Sequence, residues 1–263
     1  MTLPNLANPA AMALFLDFDG TLVAIADRPD NVVLEPATRE ALLALKDLLD
    51  GAVAIVTGRD IAVIDALLAP LELPIAGVHG ATRRDANGNI HLPPRNGALE
   101  TAIEAGVAPL LAEHPGLLLE RKHGSLALHY RAHPELEAQC QDAMQNAVNS
   151  LDDVMLKRGK MVIEAKSVAG DKGTAIAAFM AEAPFDGRTP LFAGDDVTDE
   201  DAFRAVNAMG GVTIKIGPGP TEASFRAADR TGFLSWLNVL LKRLAQGAAS
   251  RDLRRGARKP RDD

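Results

Sequence analysis

The sequence is poor in the features that mark several large classes of protein. Its one cysteine, Cys140, excludes an intramolecular disulfide and gives no sign of a thiolate metal site; a small residue on a helix is its expected role. Lysine and arginine number 28 against 35 aspartates and glutamates, a formal charge of −7, which argues against a nucleic-acid binder with a basic face. No apolar run approaches the roughly 20 residues that span a bilayer. No basic stretch followed by an apolar core opens the chain, so neither a membrane span nor a signal peptide is expected. No internal repeat is found. What is present is 263 residues, 47% of them apolar, enough to bury a full core as one large domain or two modest ones. A soluble, cytoplasmic, globular enzyme or binding protein is the expectation.

One stretch organises the rest: the apolar run Met12 to Leu16 followed by Asp17-Phe18-Asp19-Gly20-Thr21. An apolar run of that length, closed by a Gly-Thr turn, reads as a strand buried on both faces. Residues i and i+2 of an extended segment share a face, so Asp17 and Asp19 can point the same way. Two carboxylates held together there repel each other unless a cation sits between them. In open α/β sheets the carboxyl end of a strand is also where ligands bind. A plain Asp-Gly turn accounts for Asp19 but not for Asp17.

On either side the chain alternates strand and helix. Leu42, Leu45, Leu48 and Leu49 recur at helical spacing after Pro36; Ala52 to Val56 is a short apolar run ending in Thr57-Gly58-Arg59. A second helix carries Ile61, Ile64, Leu67 and Leu68, and Ile75 to Val78 runs into His79-Gly80. This is the signature of a parallel sheet with helices on both faces, a Rossmann-like α/β core. The rhythm then changes. Asn87-Gly88 and Arg158-Gly159-Lys160 are hairpin turns, Leu117 to Glu120 and Ser125 to Tyr130 flank His123-Gly124, and residues 97–112 and 134–150 read as helices. Residues 84–166 are therefore expected to form an inserted α+β cap with an antiparallel sheet, between core halves 1–83 and 167–247. From Asp171 the first rhythm returns, through Leu191-Phe192-Ala193, Val212 to Ile216 and a last helix at Thr231 to Leu244. Residues 1–11 and 248–263 have no apolar periodicity and are expected to be a loose arm and a disordered tail.

Four short stretches at strand ends or a helix start combine into one chemistry. They are Asp17 with Asp19; Thr57 with the Gly58 amide; Lys172 at the opening of a helix; and Asp195, Asp196 and Asp199 after another strand. A hydroxyl, an amide and a lysine suit phosphate oxygens, and a few carboxylates suit Mg²⁺, which takes hard oxygen ligands. Each alone has a plain structural explanation: Thr57 or Asp199 as a helix cap, Lys172 as a surface lysine. Their order, each beside a buried strand or a helix start, favours the functional reading.

The order DFDGT, Val56-Thr57-Gly58-Arg59, Lys172-Gly173 and Gly194-Asp195-Asp196 resembles the haloacid dehalogenase (HAD) superfamily of Mg²⁺-dependent phosphatases over nearly the whole chain. Within it, Gly194-Asp195-Asp196-Val197-Thr198-Asp199-Glu200 looks like the motif of trehalose-6-phosphate phosphatases. Gly77-Val78-His79-Gly80, Glu120-Arg121-Lys122, His129-Tyr130-Arg131 and Glu164-Ala165-Lys166 support it. Lys166-Ser167 stand where that family often has Arg-Pro. The resemblance implies Asp17 as a nucleophile forming an aspartyl-phosphate, and Asp19 as general acid and then base. It implies Mg²⁺ held by Asp195, the Asp17 carboxylate and the Asp19 carbonyl, with Asp196 and Asp199 close by. Thr57, Gly58 and Lys172 would bind the phosphoryl group. His79, Glu120, Lys122, Arg131, Glu164 and Lys166 would read a small-molecule sugar phosphate. The alternatives are a phosphatase of the same superfamily acting on sucrose, mannosylglycerate or hexose phosphates, and a catalytically silent metal or sugar-phosphate binder.

Overall fold

The structure, a computed structural model, describes residues 3–26, 28, 31–93, 96–122, 124–151, 154–167 and 170–256, with the backbone alone for Lys122, Ser167 and 251–256. The loop around Asp27, the break at Pro93-Pro94, the turn at His123, the Lys122 side chain and the tail from 257 fall wholly or partly outside the described residues.

The first strand, β1 (Met12–Leu16), is buried at every position. Helix α1 (Pro36–Leu48) starts on a proline at its first turn, where the missing N–H costs nothing. It leads to β2 (Val53–Val56), whose β-branched residues suit a strand covered on both faces. Then follow α2 (Ile61–Leu68), β3 (Ile75–Gly77), and a hairpin of β4 (Thr82–Arg84) and β5 (Ile90–His91). After the inserted segment come α5 (Lys172–Met180), β10 (Thr189–Gly194), α6 (Glu200–Ala208), β11 (Val212–Ile216), β12 (Phe225–Ala227) and α7 (Arg230–Gly256). The inserted segment holds α3 (Gly97–Glu113), β6 (Leu118–Lys122), β7 (Ser125–His129), α4 (Glu137–Val148), β8 (Val154–Gly159) and β9 (Val162–Ser167).

Among the described residues one sheet has eight strands in the order β12-β11-β10-β1-β2-β3-β4-β5, parallel from β12 to β3. β1 and β10 lie side by side at its centre, so both carboxyl ends bearing aspartates open at the same edge. Phe15 on β1 packs on Phe179 of α5 and on Phe185, with ring centroids 5.9 and 5.2 Å apart. Phe192 on β10 meets Phe203 of α6 at 5.4 Å. The second sheet has four antiparallel strands, β6-β7-β9-β8. Its buried face, with Leu126, Leu128, Ile163 and Ala165, shares a separate apolar core with Ile103, Val107, Cys140 and Met144 of α3 and α4. None of the described helices is long and apolar enough to cross a membrane.

Three expectations change. The Asn87-Gly88 hairpin forms, but β4 pairs antiparallel with β3, so the hairpin extends the large sheet rather than belonging to the insert. Asp85 secures it by accepting from the Asn87 and Asn89 amides at 2.9 Å, and Arg84 forks onto Asp65 at 2.7 Å. The chain accordingly divides into a unit of residues 1–91 with 170–263 and a unit of 92–169, against boundaries of 84 and 166 read from the sequence. The N-terminal arm is not loose: Leu6 is buried, Trp236 donates to the Pro4 carbonyl at 2.9 Å and Arg243 to that of Leu6 at 2.7 Å. An irregular backbone cannot pair in the sheet, and side-chain donors from α7 satisfy it instead. The tail assigned to 248–263 is helical as far as Gly256, because α7 simply continues.

Candidate active site

Two rungs of packing carry the site. Phe15 and Asp17 are two residues apart, so in an extended chain they lie on one side of β1. Lys172 and Phe179 are seven apart, two helical turns, so they share a face of α5. The Phe15–Phe179 contact therefore brings with it the contact one step further along. There Lys172 Nζ donates to Asp17 Oδ1 and to Asp199 Oδ1, both at 2.6 Å. All three residues are buried, at 3, 4 and 0% exposure respectively. Asp171 prepares the helix start by capping α5, accepting from the Thr174 amide at 2.7 Å.

Asp17, Asp195 and Asp199 converge, each offering an oxygen within 4.8 Å of the others. Burial pushes the Asp17 carboxyl up to about 7, against the pull of Lys172 and with Asp199 adding to the rise. Burial likewise raises Asp195 to about 6, helped by Asp199 and Asp196 and resisted by Lys215 and Lys172. Burial works against the charge on Lys172, but the Asp17 and Asp199 carboxylates outweigh it and hold its pKa above the ordinary value. The donor set fits a hard divalent cation such as Mg²⁺, since anionic oxygens crowd together with fewer positive charges than negative. The backbone is shaped to allow it. A Cβ on Gly20 would lie 2.0 Å from Asp195 Oδ2, and one on Gly194 2.4 Å from the Asp199 carboxylate.

Asp19 takes a different course. Its carboxylate accepts from Arg59 Nε at 2.6 Å and Nη2 at 2.8 Å, and it stands outside the acidic cluster. The two aspartates of the opening motif thus each meet a cationic side chain, Lys172 for one and Arg59 for the other. Thr57 is buried and its Oγ1 accepts from the Arg59 amide at 3.2 Å. It is not the cap of α2, a position held by Asp60. His79 stands over Gly58: a Cβ there would meet the His79 ring at 2.6 Å. Val78 and His79 both adopt left-handed backbone, φ 52° and 58°, a strained pair fixed by bonds from their amides to Arg59 O and Thr57 O. Asp196 is exposed; its amide donates to Asp199 Oδ2 at 2.9 Å, which steadies Asp199.

In the second unit the register places Glu120, Ala127 and Glu164 side by side, with Lys157 beyond them. Lys122, Ser125 and Lys166 form the next row. Glu120, Glu164 and Lys166 therefore share the sheet face opposite the helices, and Lys122 takes its place in the same row. Glu120 meets His129 at 2.8 Å and Glu164 accepts from Ser125 at 2.7 Å. Arg131 lies beyond the end of β7, off this sheet. Two cations without an expected role join the site: Arg59, and Lys215 on β11, whose ammonium donates to the Asp195 main-chain oxygen. Lys215 had a signal: it is the one charged residue in the apolar run Val212 to Ile216.

A parallel sheet with aspartates at two adjacent strand ends, a lysine bridging them and an inserted antiparallel unit is the arrangement that the resemblance to HAD phosphatases implies. A solved phosphatase of that superfamily from Bacteroides thetaiotaomicron shares the fold, with TM-score 0.52 over 90% of this chain and 98% of its own at 17% identity. The sequence model of the family described as trehalose-phosphatase matches residues 15–231, and the chain belongs to that family. The trehalose-6-phosphate phosphatase of Escherichia coli (strain K12) is 43% identical over 249 residues, 94% of each chain. A solved trehalose-6-phosphate phosphatase related protein is 28% identical with TM-score 0.57, covering 91% of this chain and 99% of its own.

Proposed function

We propose that this phosphatase hydrolyses trehalose 6-phosphate to trehalose and phosphate through an aspartyl-phosphate on Asp17. The observation that carries the chemistry is the buried Lys172, bonded at once to Asp17 and Asp199. It fixes one Asp17 oxygen and leaves the carboxylate oriented for attack on phosphorus. As the P–O bond to the sugar breaks, Asp19 gives its proton to the departing oxygen. A protonated Asp19 keeps one oxygen as acceptor for Arg59 and frees the other to donate. Asp19 then takes a proton from the water that cleaves the aspartyl-phosphate, releasing phosphate and restoring Asp17. Lys172, the Thr57 hydroxyl and the Gly58 amide bind the phosphoryl oxygens. Asp17 and Asp195 would hold Mg²⁺, with Asp199, both of whose oxygens are engaged, keeping Lys172 in place. When bound, the ion offsets the charge of the phosphoryl oxygens.

The sugar reading belongs to the second unit. Carboxylates and lysines can each bond two neighbouring hydroxyls of a disaccharide; Glu120, Glu164 and Lys166 share one sheet face, and the Lys122 backbone lies in the row of Lys166. His79, beside Gly58 in the other unit, is better suited to the phosphate end, and Arg131 has no place in this row. The test is phosphate release with Mg²⁺ from trehalose, sucrose and glucose 6-phosphates side by side, with Asp17→Asn in parallel. A strong preference for trehalose 6-phosphate, abolished in the variant, is expected. Equal release from another sugar phosphate would overturn the substrate, and release by the variant would overturn the nucleophile.

A further inference from the structure

Lys215 is 5% exposed, although lysine is among the residues least often buried. It lies on β11 directly across from Gly194, the last residue of β10, so its side chain starts beside the turn that carries Asp195 to Asp199. Among the described residues the one hydrogen bond of its ammonium goes to the main-chain oxygen of Asp195, not to a carboxylate. Asp195 stands where β10 has ended and that carbonyl has left the ladder. The other end of the turn is held by Lys172, through Asp199. The turn is thus tied at both ends by buried ammonium groups from two different elements.

We propose that Lys215 is a positioning residue: by holding the Asp195 main-chain oxygen it fixes the Asp195 carboxylate for the divalent cation. The proposal rests on the reading of Asp195 as a residue that holds the ion. Two effects of the lysine oppose each other, and they separate cleanly. As a bare charge Lys215 repels a cation, so its loss would tighten the ion. As a tether it preorganises a ligand, so its loss weakens the ion, and residues that orient ligands are commonly worth 10–100-fold in metal affinity.

The experiment is a thermal-shift titration with MgCl₂ on the wild-type protein, Lys215→Met, Lys215→Gln and Asp195→Asn, together with steady-state kinetics at saturating Mg²⁺. The wild-type protein is expected to gain stability on adding Mg²⁺, and Asp195→Asn to lose most of that gain. Both Lys215 variants should need about tenfold more Mg²⁺ for half the shift, with the KM for the sugar phosphate at saturating Mg²⁺ unchanged. Glutamine retains a donor but is too short to reach, so it should follow methionine. A half-saturation that is unchanged, or lower, in variants with wild-type-like circular dichroism would overturn the tether. A drop in metal-free stability and kcat with no change in Mg²⁺ half-saturation would equally overturn it, leaving Lys215 a packing residue. No shift in the wild-type protein would instead overturn the metal reading itself, and the role of Lys215 with it.

Discussion

At the scale of single residues, the site is a place where burial and charge disagree. Asp17 and Asp195 have carboxyls raised to about 7 and about 6, burial being the larger cause in each. The folded chain therefore holds these protons up to pH values at which the unfolded chain, titrating near 4, has lost them. Stability without a divalent ion should fall as pH rises from about 4 to 7 and then level off. A cation needs the ionised forms, so it competes with protons in that window. The shift in Tm from saturating Mg²⁺ is accordingly expected to be larger at pH 8 than at pH 5, as scanning fluorimetry can show. A shift that is equal at both, or larger at pH 5, would sink this account of the two carboxyls. Asp17→Asn should abolish turnover yet melt no lower than wild type in metal-free buffer at pH 8, because the buried charge is gone. That Asp17, Lys172 and Asp195 come together was legible at this scale, since each follows an apolar run or opens a helix. The partner of Asp19 was not. Arg59 is 40 residues away and meets it only because β1 and β2 are neighbours, a fact of topology that no spacing expresses.

At the scale of elements, function depends on how closely strand ends approach the turns that follow them. Gly194 closes β10, and a methyl group there would come 2.4 Å from the Asp199 carboxylate. Something must move, and the displaced group is the one that anchors Lys172. Gly194→Ala is expected to cut kcat by about 10²-fold, the usual cost of moving a catalytic group by about an ångström. The fold should persist, since β10 is paired on both sides. Circular dichroism with kinetics checks this, and near-normal kcat would show that the turn tolerates the methyl group. The buried strands β1, β2, β3, β10 and β11 were read from apolar runs because strands covered on both faces leave little ambiguity, whereas the short β4, β5 and β12 were not read. The hairpin at Asn87-Gly88 was also read correctly as a turn, but its allegiance was not. Nothing local states that β4 pairs with β3 rather than with the insert; the Arg84 fork onto Asp65 and the Leu73 carbonyl is a long-range interaction. The left-handed Val78 was equally hidden, since valine favours extended backbone.

At the scale of the whole molecule, the described residues form two apolar cores with no buried residue in common. The arm and α7 belong to the larger one, where Leu6, Phe233 and Leu240 are buried together. That arm looked loose because prolines and asparagines carry no period, whereas the residues that hold it, Trp236 and Arg243, come more than 200 positions later. Separate cores imply that damage to one should stay in it. Leu128 on β7 is fully buried in the smaller core, and truncating such a leucine costs about 2–5 kcal/mol through lost contacts and the cavity left behind. Leu128→Ala is therefore expected to speed amide exchange across β6, β7, β8 and β9 while β1 and β10 keep their protection. If the second unit recognises the sugar, the same variant should lose most turnover of trehalose 6-phosphate yet retain most turnover of an aryl phosphate. The residues proposed for the phosphoryl site lie on or next to β1, β2, β10 and α5, whose buried apolar residues belong to the larger core. Faster exchange in β1 and β10 to the same degree would mean that the two units open as one. Equal loss on both substrates would mean that the second unit serves the chemistry itself rather than the choice of sugar.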